Sequence, residues 1–470
     1  MNEMDLQSFG QSNFGGLVLG DKRRTNRLVA LVDKMSRHPG GTLPAKLSKP
    51  ADLRAFYLLM DCDKVTHASV MGGHMAATRR KMEAASRAGN TLLILHDATE
   101  LDYTSLTSLR GKLGQIGRGT NYGYICHNSL VVQAEPQLVL GLSSQILHHR
   151  AKVPKKETDA QRRNRESRES RLWVQGAGQS GAAPAGGLCV DVSDSLSDTF
   201  EYMAFEVANG RSFVLRSREN RKLAMSVNGI KYLYGAVRQQ STVATRIVTV
   251  QRTEKHAART AICRVSSTPV CIAPPGVRLG EYKNEPLKLW AVRVWEPNPP
   301  PGTEAVEWIL LTNVPVITVS DAIERVTWYE TRWVVEDLHK GMKTGCGIET
   351  LQFTKLERLE PAIAVLSALA TTLLQMRDAA RQPDADVRPA TDVVSQEYVT
   401  VLSEYYGTRL GKTPSILKFY MHVARLGGHQ NRKRDGFPGW ITLWRGWMTL
   451  QTLVDGHQLG RARQNKCGGT

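Results

Sequence analysis

The sequence lacks the cysteine pattern of a disulfide-stabilised or zinc-binding protein. Its 470 residues include seven cysteines, an odd number, and none of them forms a Cys-x2-Cys pair. A disulfide framework normally needs paired cysteines, and structural zinc sites commonly need closely spaced ones. We therefore expect reduced thiols and a cytoplasmic protein.

Long hydrophobic runs are also absent. The longest, residues 362–374, is shorter than the roughly 20 apolar residues that a membrane-spanning helix needs, and it predicts a buried helix instead. The polar N-terminus, MNEMDLQSFGQ, does not show the charged-then-apolar order of a signal peptide. The sequence predicts neither export nor a membrane partner.

Acidic residues are few relative to basic ones. The chain has 44 Asp and Glu against 62 Lys and Arg, which gives a formal charge of +18. Such a charge predicts a polyanionic partner, with nucleic acid as the leading candidate. A membrane surface is less favoured because the basic residues are spread along the whole chain.

A basic run near the N-terminus opens a segment with helical periodicity. It contains Lys22, Arg23, Arg24 and Arg27. We interpret this segment as part of a small DNA-contacting module. On its own, such a charge run is more typical of a solvated surface helix, and only the total charge and the motifs below favour DNA.

The length of the chain predicts more than one domain. Residues 1–70 are predicted to be helical, residues 71–372 to form a mixed α/β domain, and residues 373–470 to be helical again. Within the α/β domain, residues 224–298 read as a β-rich insertion without a helix. The predicted strands are TLLILHD, YICHNSLVVQA, LVLGLSSQILHH, GGLCVDVSD, RSFVLRSR, IKYLYGAV, ATRIVTVQR, TAICRVS, LKLWAVRVWE and EWILLTNVPV.

The most informative motif has the spacing Tyr-x2-Arg-x3-Glu-x6-Lys. Its residues are Tyr329, Arg332, Glu336 and Lys343. At about 100° per residue they fall on one narrow face of a single helix, opposite apolar Val334, Leu338 and Met342. A carboxylate, two cations and a phenol aimed at one point suit a phosphate backbone beside a metal ion. His339 and Lys340, near this face, are candidates for further phosphate contacts or for a solvated helix edge.

Two aspartates complete a candidate metal site. Asp97 and Asp194 each follow an apolar strand, and Glu336 would add a third carboxylate. Three carboxylates are enough to hold two Mg²⁺ ions, which polarise an attacking water and stabilise the leaving 3′ oxygen of a phosphodiester. Asp191, which lies mid-strand, and Asp198, which caps or faces the next helix, are alternatives to Asp194; we favour Asp194.

At this point the sequence resembles the bacterial cut-and-paste DDE transposases of insertion sequences. The resemblance is to the subgroup with the Tyr-x2-Arg-x3-Glu-x6-Lys signature, which includes the transposase of the kanamycin-resistance composite transposon. The matching blocks run nearly end to end: LGDKRRTNRL, ILHDATELDY, VSDSLSDTFEYM, EWILLTNVPV, the signature through HKGMKTGCGIE, ARLGG and WITLWRGW. One departure is Ser195 and Leu196, where relatives have Arg followed by Glu or Gly.

The resemblance implies a ribonuclease-H-like catalytic core with a β-rich insertion, between a helical N-terminal DNA-binding domain and a helical C-terminal dimerisation domain. It implies that Asp97, Asp194 and Glu336 bind two Mg²⁺ ions, for which Mn²⁺ substitutes. Trp308 and Trp333 would hold a flipped base. The resemblance thus implies Tyr329, Arg332, Lys343, Trp308 and Trp333 as DNA-binding residues, to which the charge pattern adds Lys340, Arg23, Arg24 and Arg27.

The resemblance also implies a reaction sequence. The enzyme would bind terminal inverted repeats, nick the 3′ end, form and open a hairpin, and transfer the strand into target DNA. A homodimer would bridge two ends in a synaptic complex, with residues 414–455 making the contact, in the nucleoid of the bacterial cytoplasm. The alternatives are an inactive DNA-binding inhibitor or degenerate copy, and a ribonuclease-H-like nuclease without strand transfer.

Overall fold

Among the described residues, five helices precede the first strand. The computed structural model describes residues 8–150, 156–250, 259–276, 285–407, 410–432 and 435–467. The helices are α1 Phe9–Phe14, α2 Lys22–Arg37, α3 Leu43–Lys46, α4 Pro50–Met60 and α5 His67–Arg87. The side chain of Asp21 caps α2, and Leu28, Leu31 and Met35 are buried at helical spacing. The predicted helical N-terminus is confirmed, although α5 crosses the predicted boundary at residue 70.

The next part of the chain builds the centre of a mixed sheet. Its elements are β1 Leu92–Asp102, β2 Gly114–Ile116, β3 Asn121–Gln133, β4 Leu138–His148, α6 Asp159–Asn164, α7 Leu172–Gln179, β5 Cys189–Ser193, α8 Phe200–Ala208 and β6 Ser212–Arg216. Strands β1, β5 and β6 are neighbours and run parallel. Strand β3 pairs antiparallel with β1, and β4 pairs antiparallel with β3. The central order is therefore β4-β3-β1-β5-β6.

The β-rich insertion continues this sheet. It contains β7 Lys222–Val227, β8 Ile230–Tyr232, α9 Leu233–Arg238, β9 Ala244–Val250, β10 Arg259–Ile272 and β11 Leu287–Trp295, and β12 Glu307–Thr312 follows. Strand β12 joins β11 to β6, so the twelve strands found in the described residues form one sheet. The prediction of an insertion without a helix was wrong, because Leu233, Ala236 and Val237 are buried at helical spacing in α9.

The remaining chain is helical. It contains α10 Val319–Thr331, α11 Trp333–Lys340, a π-helical turn at Gly341–Gly345, α12 Leu356–Ala379, α13 Gln396–Tyr406, α14 Ile416–Leu426 and α15 Trp440–Cys467. Among the described residues, α12 is the helix that is long and apolar enough to span a bilayer, and 78% of its apolar window is buried. Such burial is typical of a core helix. Helix α12 also crosses the predicted boundary at residue 372.

The signature segment is not the single regular helix that its spacing predicts. The amide of Arg332 bonds the carbonyl of Tyr329, and the amide of Val335 bonds that of Arg332, which tightens the backbone between α10 and α11. Further on, the amide of Cys346 bonds the carbonyl of Gly341, five residues back. These changes of pitch alter the angle between successive side chains. The predicted apolar face is confirmed, because Val334, Leu338 and Met342 are buried.

Candidate active site

Asp97 and Asp194 are neighbours at the end of a parallel strand pair. Strands β1 and β5 are in register up to His96 and Ser193, and the two aspartates are the next residues. The prediction that Asp97 ends its strand was wrong, since β3 continues to pair with β1 as far as Asp102. The side chain nevertheless lies where the parallel pairing ends, beside Asp194.

Asp194 differs from the two nearby aspartates in the hydrogen-bond partners of its carboxylate. Asp191 is 1% exposed and accepts hydrogen bonds from Arg211 at 2.7 Å and 2.8 Å. Asp198 accepts hydrogen bonds from Arg221 at 2.7 Å and 3.0 Å. Both carboxylates are therefore neutralised inside the fold. The carboxylate of Asp194 accepts a hydrogen bond from the backbone amide of the turn that follows, which favours Asp194 as the second candidate ligand.

Arg332 connects the carboxylate of β1 to the carboxylate of α11. Its Nη1 donates to Oδ2 of Asp97 at 3.0 Å, and its Nη2 donates to Oε1 of Glu336 at 3.1 Å. The guanidinium lies 4.8 Å from the ring of Trp333. Only 8% of the Arg332 side chain is exposed. The arginine and glutamate of the signature thus lie close to Asp97, although the signature segment and β1 are far apart in the sequence.

Burial raises the pKa of both aspartates at this site. Burial raises the pKa of Asp97 to about 7; the charge of Arg332 opposes this rise, and the charges of Asp194 and Glu336 add to it. Burial is also the main cause of the raised pKa of Asp194. The charges of Asp194 and Glu336 therefore reach Asp97, and they disfavour its ionised form.

Arg216 is a site residue that the sequence reasoning missed. Strands β5 and β6 are in register up to Ser193 and Leu215, so Arg216 follows on β6 beside Asp194. The charge of Arg216 lowers the pKa of Asp194 and opposes the rise that burial causes in the pKa of Tyr329. Its sequence signal was similar to that of Asp194: a charged residue where a short apolar strand ends.

Aromatic side chains line one side of the cluster. The rings of Tyr329 and Trp308 are 5.4 Å apart and meet edge to face. Tyr329 is 3% exposed, whereas Trp333 is 36% exposed. Trp308 on β12 is half-buried. Trp333 therefore lies near the signature arginine with its ring partly open to solvent, and Trp308 contacts Tyr329, whose ring is 5.9 Å from the same guanidinium.

Two parts of the chain match known domain families. Residues 6–65 match the transposase DNA-binding family. Residues 200–373 match the transposase DDE domain. The DDE match contains Arg216, the two signature helices and Glu336, and it begins after Asp97 and Asp194. The chain therefore carries a transposase DNA-binding domain and a transposase DDE domain, which together support a transposase with DNA as its partner.

The carboxylates beside the DDE signature fit a divalent cation by their chemistry. Carboxylate oxygens are the ligands that Mg²⁺ and Mn²⁺ prefer. In the part of the chain that the structure describes, no three or more His, Cys, Asp or Glu side chains lie close enough together to hold a metal ion. The Arg332 guanidinium supplies positive charge between Asp97 and Glu336. Asp97, Asp194 and Glu336 are the candidate residues for holding a cation here.

The cationic residues after Glu336 differ in exposure within the DDE domain. The Lys340 side chain is 54% exposed and lies 3.5 Å from Asp337. Lys343 is on the π-helical turn, 3.4 Å from Glu349. His339 is only 9% exposed and contacts the side-chain amide of Asn128. His339 therefore faces the core and not a phosphate, so of the two extra candidates only Lys340 is accessible.

The predicted arginines of the DNA-binding domain lie at the start of α2. The Arg23 side chain is 92% exposed and pairs with Asp21 at 2.8 Å. Arg27, one turn later, is also exposed. Arg24 is partly buried and donates from Nη1 to the carbonyl of Leu19. Arg23 and Arg27 are thus accessible to DNA, while Arg24 also supports the loop that precedes the helix.

Proposed function

We propose that this protein is a DNA transposase that moves an insertion sequence by cut-and-paste, with Asp97, Asp194 and Glu336 as its catalytic carboxylates. It would belong to the Tyr-x2-Arg-x3-Glu-x6-Lys subgroup, near the transposase of the kanamycin-resistance composite transposon. One observation carries the proposal: Arg332, inside the DDE match, bonds both Asp97 and Glu336. The signature is thereby joined to an aspartate that lies outside the match.

The sheet topology supports a ribonuclease-H-like core. Two antiparallel strands, β3 and β4, flank β1 on one side, and β5 and β6 run parallel to β1 on the other. The candidate carboxylates come from β1, from the residue after β5, and from α11. In this proposal residues 1–70 bind DNA, residues 71–372 form the catalytic domain with its insertion at 224–298, and residues 373–470 mediate dimerisation.

The catalytic carboxylates would hold two Mg²⁺ ions, with Mn²⁺ as a substitute. When bound, such ions activate an attacking oxygen and stabilise the leaving oxygen. The contribution of the chain is to present Asp97 deprotonated beside Asp194 and Glu336. The raised pKa of Asp97 means that the free protein exchanges a proton when a cation is bound at this site.

Basic and aromatic groups around the carboxylates would hold the DNA. Arg332, Lys340 and Lys343 supply charge for the phosphates at the transposon end, and Tyr329 supplies a phenol. Because Arg332 is occupied by carboxylates in the free protein, phosphate must compete with them for its guanidinium. Trp333 would stack on a flipped base, with Trp308 beside it, because an aromatic face replaces the stacking that a flipped base loses.

Each proposed step is a displacement at phosphorus. Water first attacks a phosphodiester at the transposon end, which leaves a 3′-hydroxyl and a 5′-phosphate. The 3′-hydroxyl then attacks the opposite strand, forming one P–O bond as another breaks and producing a hairpin. Water opens the hairpin, and the regenerated 3′-hydroxyl attacks target DNA. No step needs an oxidant or reductant, and one set of carboxylates serves all four.

The proposed assembly is a homodimer that bridges the two terminal inverted repeats in a synaptic complex. The helices of the C-terminal part would supply the contact between subunits, from residues 414–455. We expect the complex to act on DNA in the nucleoid of the bacterial cytoplasm.

The test is cleavage of a labelled duplex that carries both ends of the element encoding this protein. Nicking and a hairpin product should appear with Mg²⁺ or Mn²⁺ and disappear with EDTA. Glu336→Gln should abolish both products while end binding persists. The matched control is Glu330→Gln, which removes a charge from the same segment, where Glu330 pairs with Arg246, and should still cut.

Other outcomes identify the alternatives. End binding without cutting by the wild type would indicate an inactive or inhibitory DNA-binding protein. Nicking that never gives a hairpin or a strand-transfer product would indicate a nuclease.

A further inference from the structure

A buried polar side chain lies next to Asp97 on the same face of the sheet. Asn128 on β3 is the direct register partner of Asp97, and Gln145 on β4 is the register partner of Asn128. Register partners in antiparallel strands point to the same face. Asn128 is fully buried and Gln145 is 4% exposed. The polar row therefore begins at the candidate active site and runs sideways across the sheet.

Hydrogen bonds join this row to helices at both ends. Nδ2 of Asn128 is 3.2 Å from Nε2 of His339, which lies three residues after Glu336 on α11. Nε2 of Gln145 donates to Oδ1 of Asn128 at 2.8 Å. Nε2 of His67, the first residue of α5, is 3.1 Å from Oε1 of Gln145. Four side chains thus connect α5, two strands and α11.

The hydrogen bonds along this row determine which side chain donates and which accepts. The Asn128 oxygen accepts from Gln145, so its amide nitrogen donates to His339. His339 must then accept at Nε2 and carry its proton on Nδ1. Burial, followed by the charges of Lys343 and Arg332, lowers the pKa of His339 to about 3, which keeps the imidazole neutral and able to accept.

Helix α11 is short and interrupted at both ends, so its position depends on contacts with its surroundings, which include its buried apolar face and an ion pair from Arg377 to Asp337. It has eight residues, between the tightened backbone at Arg332 and the π-helical turn at Gly341. A helix of this length is not stable by itself. The bond from Arg332 to Asp97 holds its beginning, and the bond from Asn128 to His339 holds its end. Glu336 lies between the two.

We propose that Asn128 is a positioning residue, whose hydrogen bond to His339 holds Glu336 beside Asp97 when DNA phosphate engages Arg332. The inference rests on the proposed function. It assigns no contact with substrate to Asn128. Its role is to keep the carboxylate of α11 at the correct distance from the carboxylate of β1, and its loss should weaken cation binding.

The test compares Mn²⁺ affinity, the Mg²⁺ dependence of single-turnover cleavage, and Tm. Mn²⁺ affinity is measured by electron paramagnetic resonance on the full chain without DNA. Asn128→Ala should weaken Mn²⁺ binding and raise the Mg²⁺ requirement by about tenfold, as loss of a partner that orients a ligand commonly does. Binding of end DNA should not change.

Two variants of His339 test the same hydrogen bond, so the test does not depend on Asn128→Ala folding correctly. His339→Gln retains an acceptor oxygen and should keep most of the Mn²⁺ affinity, whereas His339→Leu removes the acceptor and should behave like Asn128→Ala. The matched control is Asn13→Ala, which breaks another buried Asn–His contact, 2.8 Å from Oδ1 of Asn13 to Nδ1 of His74. It should lower Tm without changing either metal measurement.

The outcomes separate this proposal from the proposed function. A lower Tm with unchanged metal affinity in Asn128→Ala and His339→Leu would overturn the positioning role and leave the network purely structural. A wild type that binds Mn²⁺ but never cuts end DNA would overturn the transposase proposal, while the affinities of the variants would still decide the role of Asn128. A wild type that binds no Mn²⁺ would overturn both.

Discussion

Oδ2 of Asp97 lies 3.0 Å from Nη1 of Arg332, although 235 positions separate the two residues in the sequence. This ion pair joins the first strand of the sheet to the signature segment. The same guanidinium also bonds Glu336. Positive charge is therefore built into the free protein at the point where the carboxylates meet, and any cation or phosphate that binds there must compete with existing bonds.

Mn²⁺ affinity should depend on pH through Asp97. Because a carboxylate must lose its proton to bind a cation, affinity should rise about tenfold per pH unit below the pKa and level off above it. The pKa of Asp97 is raised to about 7, so levelling is expected near neutral pH. In Arg332→Gln the opposing charge is lost, so the plateau should move to higher pH. An affinity that is flat across neutral pH in the wild type would contradict this.

Asp97→Asn should stabilise the fold at neutral and higher pH in the absence of metal. The folded pKa is about 7 against an ordinary value of 3.8. Between these values the folded protein keeps a proton that the unfolded chain releases, so the wild type loses stability as the pH rises. The variant escapes this loss. Its Tm should exceed that of the wild type by roughly a few degrees above neutral pH and match it in acid.

The control for that measurement is Asp392→Asn, a surface aspartate paired with Arg388, whose Tm difference should not grow with pH. Equal Tm values for Asp97→Asn and wild type at all pH values would mean that the cluster carries no electrostatic strain.

End binding should weaken steeply with added salt, since each phosphate that the protein neutralises releases a counterion. Arg23→Ala and Arg27→Ala should each reduce the slope of log K against log salt by about 1. Filter binding or fluorescence anisotropy at several salt concentrations gives the slope. Arg388→Ala, between α12 and α13, is the control and should leave it unchanged. Unchanged slopes for both α2 variants would place the DNA elsewhere.

Trp333→Ala should impair hairpin formation more than the first nick. The ring is 36% exposed, so its loss creates little cavity, whereas stacking on an unpaired base is worth about 1–3 kcal/mol. Nick and hairpin are followed separately on denaturing gels. Trp333→Phe retains a stacking face and should recover most of the hairpin. An equal reduction of nick and hairpin in Trp333→Ala would argue against base stacking.

Local patterns predicted most elements but not how they meet. The apolar runs around β1, β3, β4, β5 and β6 were identified because hydrophobic strands bounded by turn residues are a local signal. The end of β1 was misplaced, since the continued pairing of Asp97–Asp102 with β3 depends on a partner far along the chain. Likewise, the apolar run IKYLYGAV was predicted to be one strand, but its first three residues form β8 and the rest belong to α9, whose apolar side chains are buried.

In the candidate site, too, local patterns pointed to the residues but not to the contacts between them. The charged residues after apolar strands and the signature spacing pointed to Asp97, Asp194 and Glu336 as a group, and their roles stay predictions. The burial of His339 was not predicted, because the periodicity of a helix says which residues share a face but not that Asn128 lies opposite. The changes in helical pitch at Arg332 and Gly341 arise from backbone hydrogen bonds, which the pattern of side chains does not predict.

The continuity of the twelve-stranded sheet limits which segments of this protein can be deleted or replaced. Strand β12, which carries Trp308, has β6 on one side and β11 on the other. Excising the insertion would leave β12 with an unpaired edge beside the candidate site, open to pairing with other chains. The insertion therefore cannot simply be deleted. A protein without it would need other strands beside β12 to remain monodisperse.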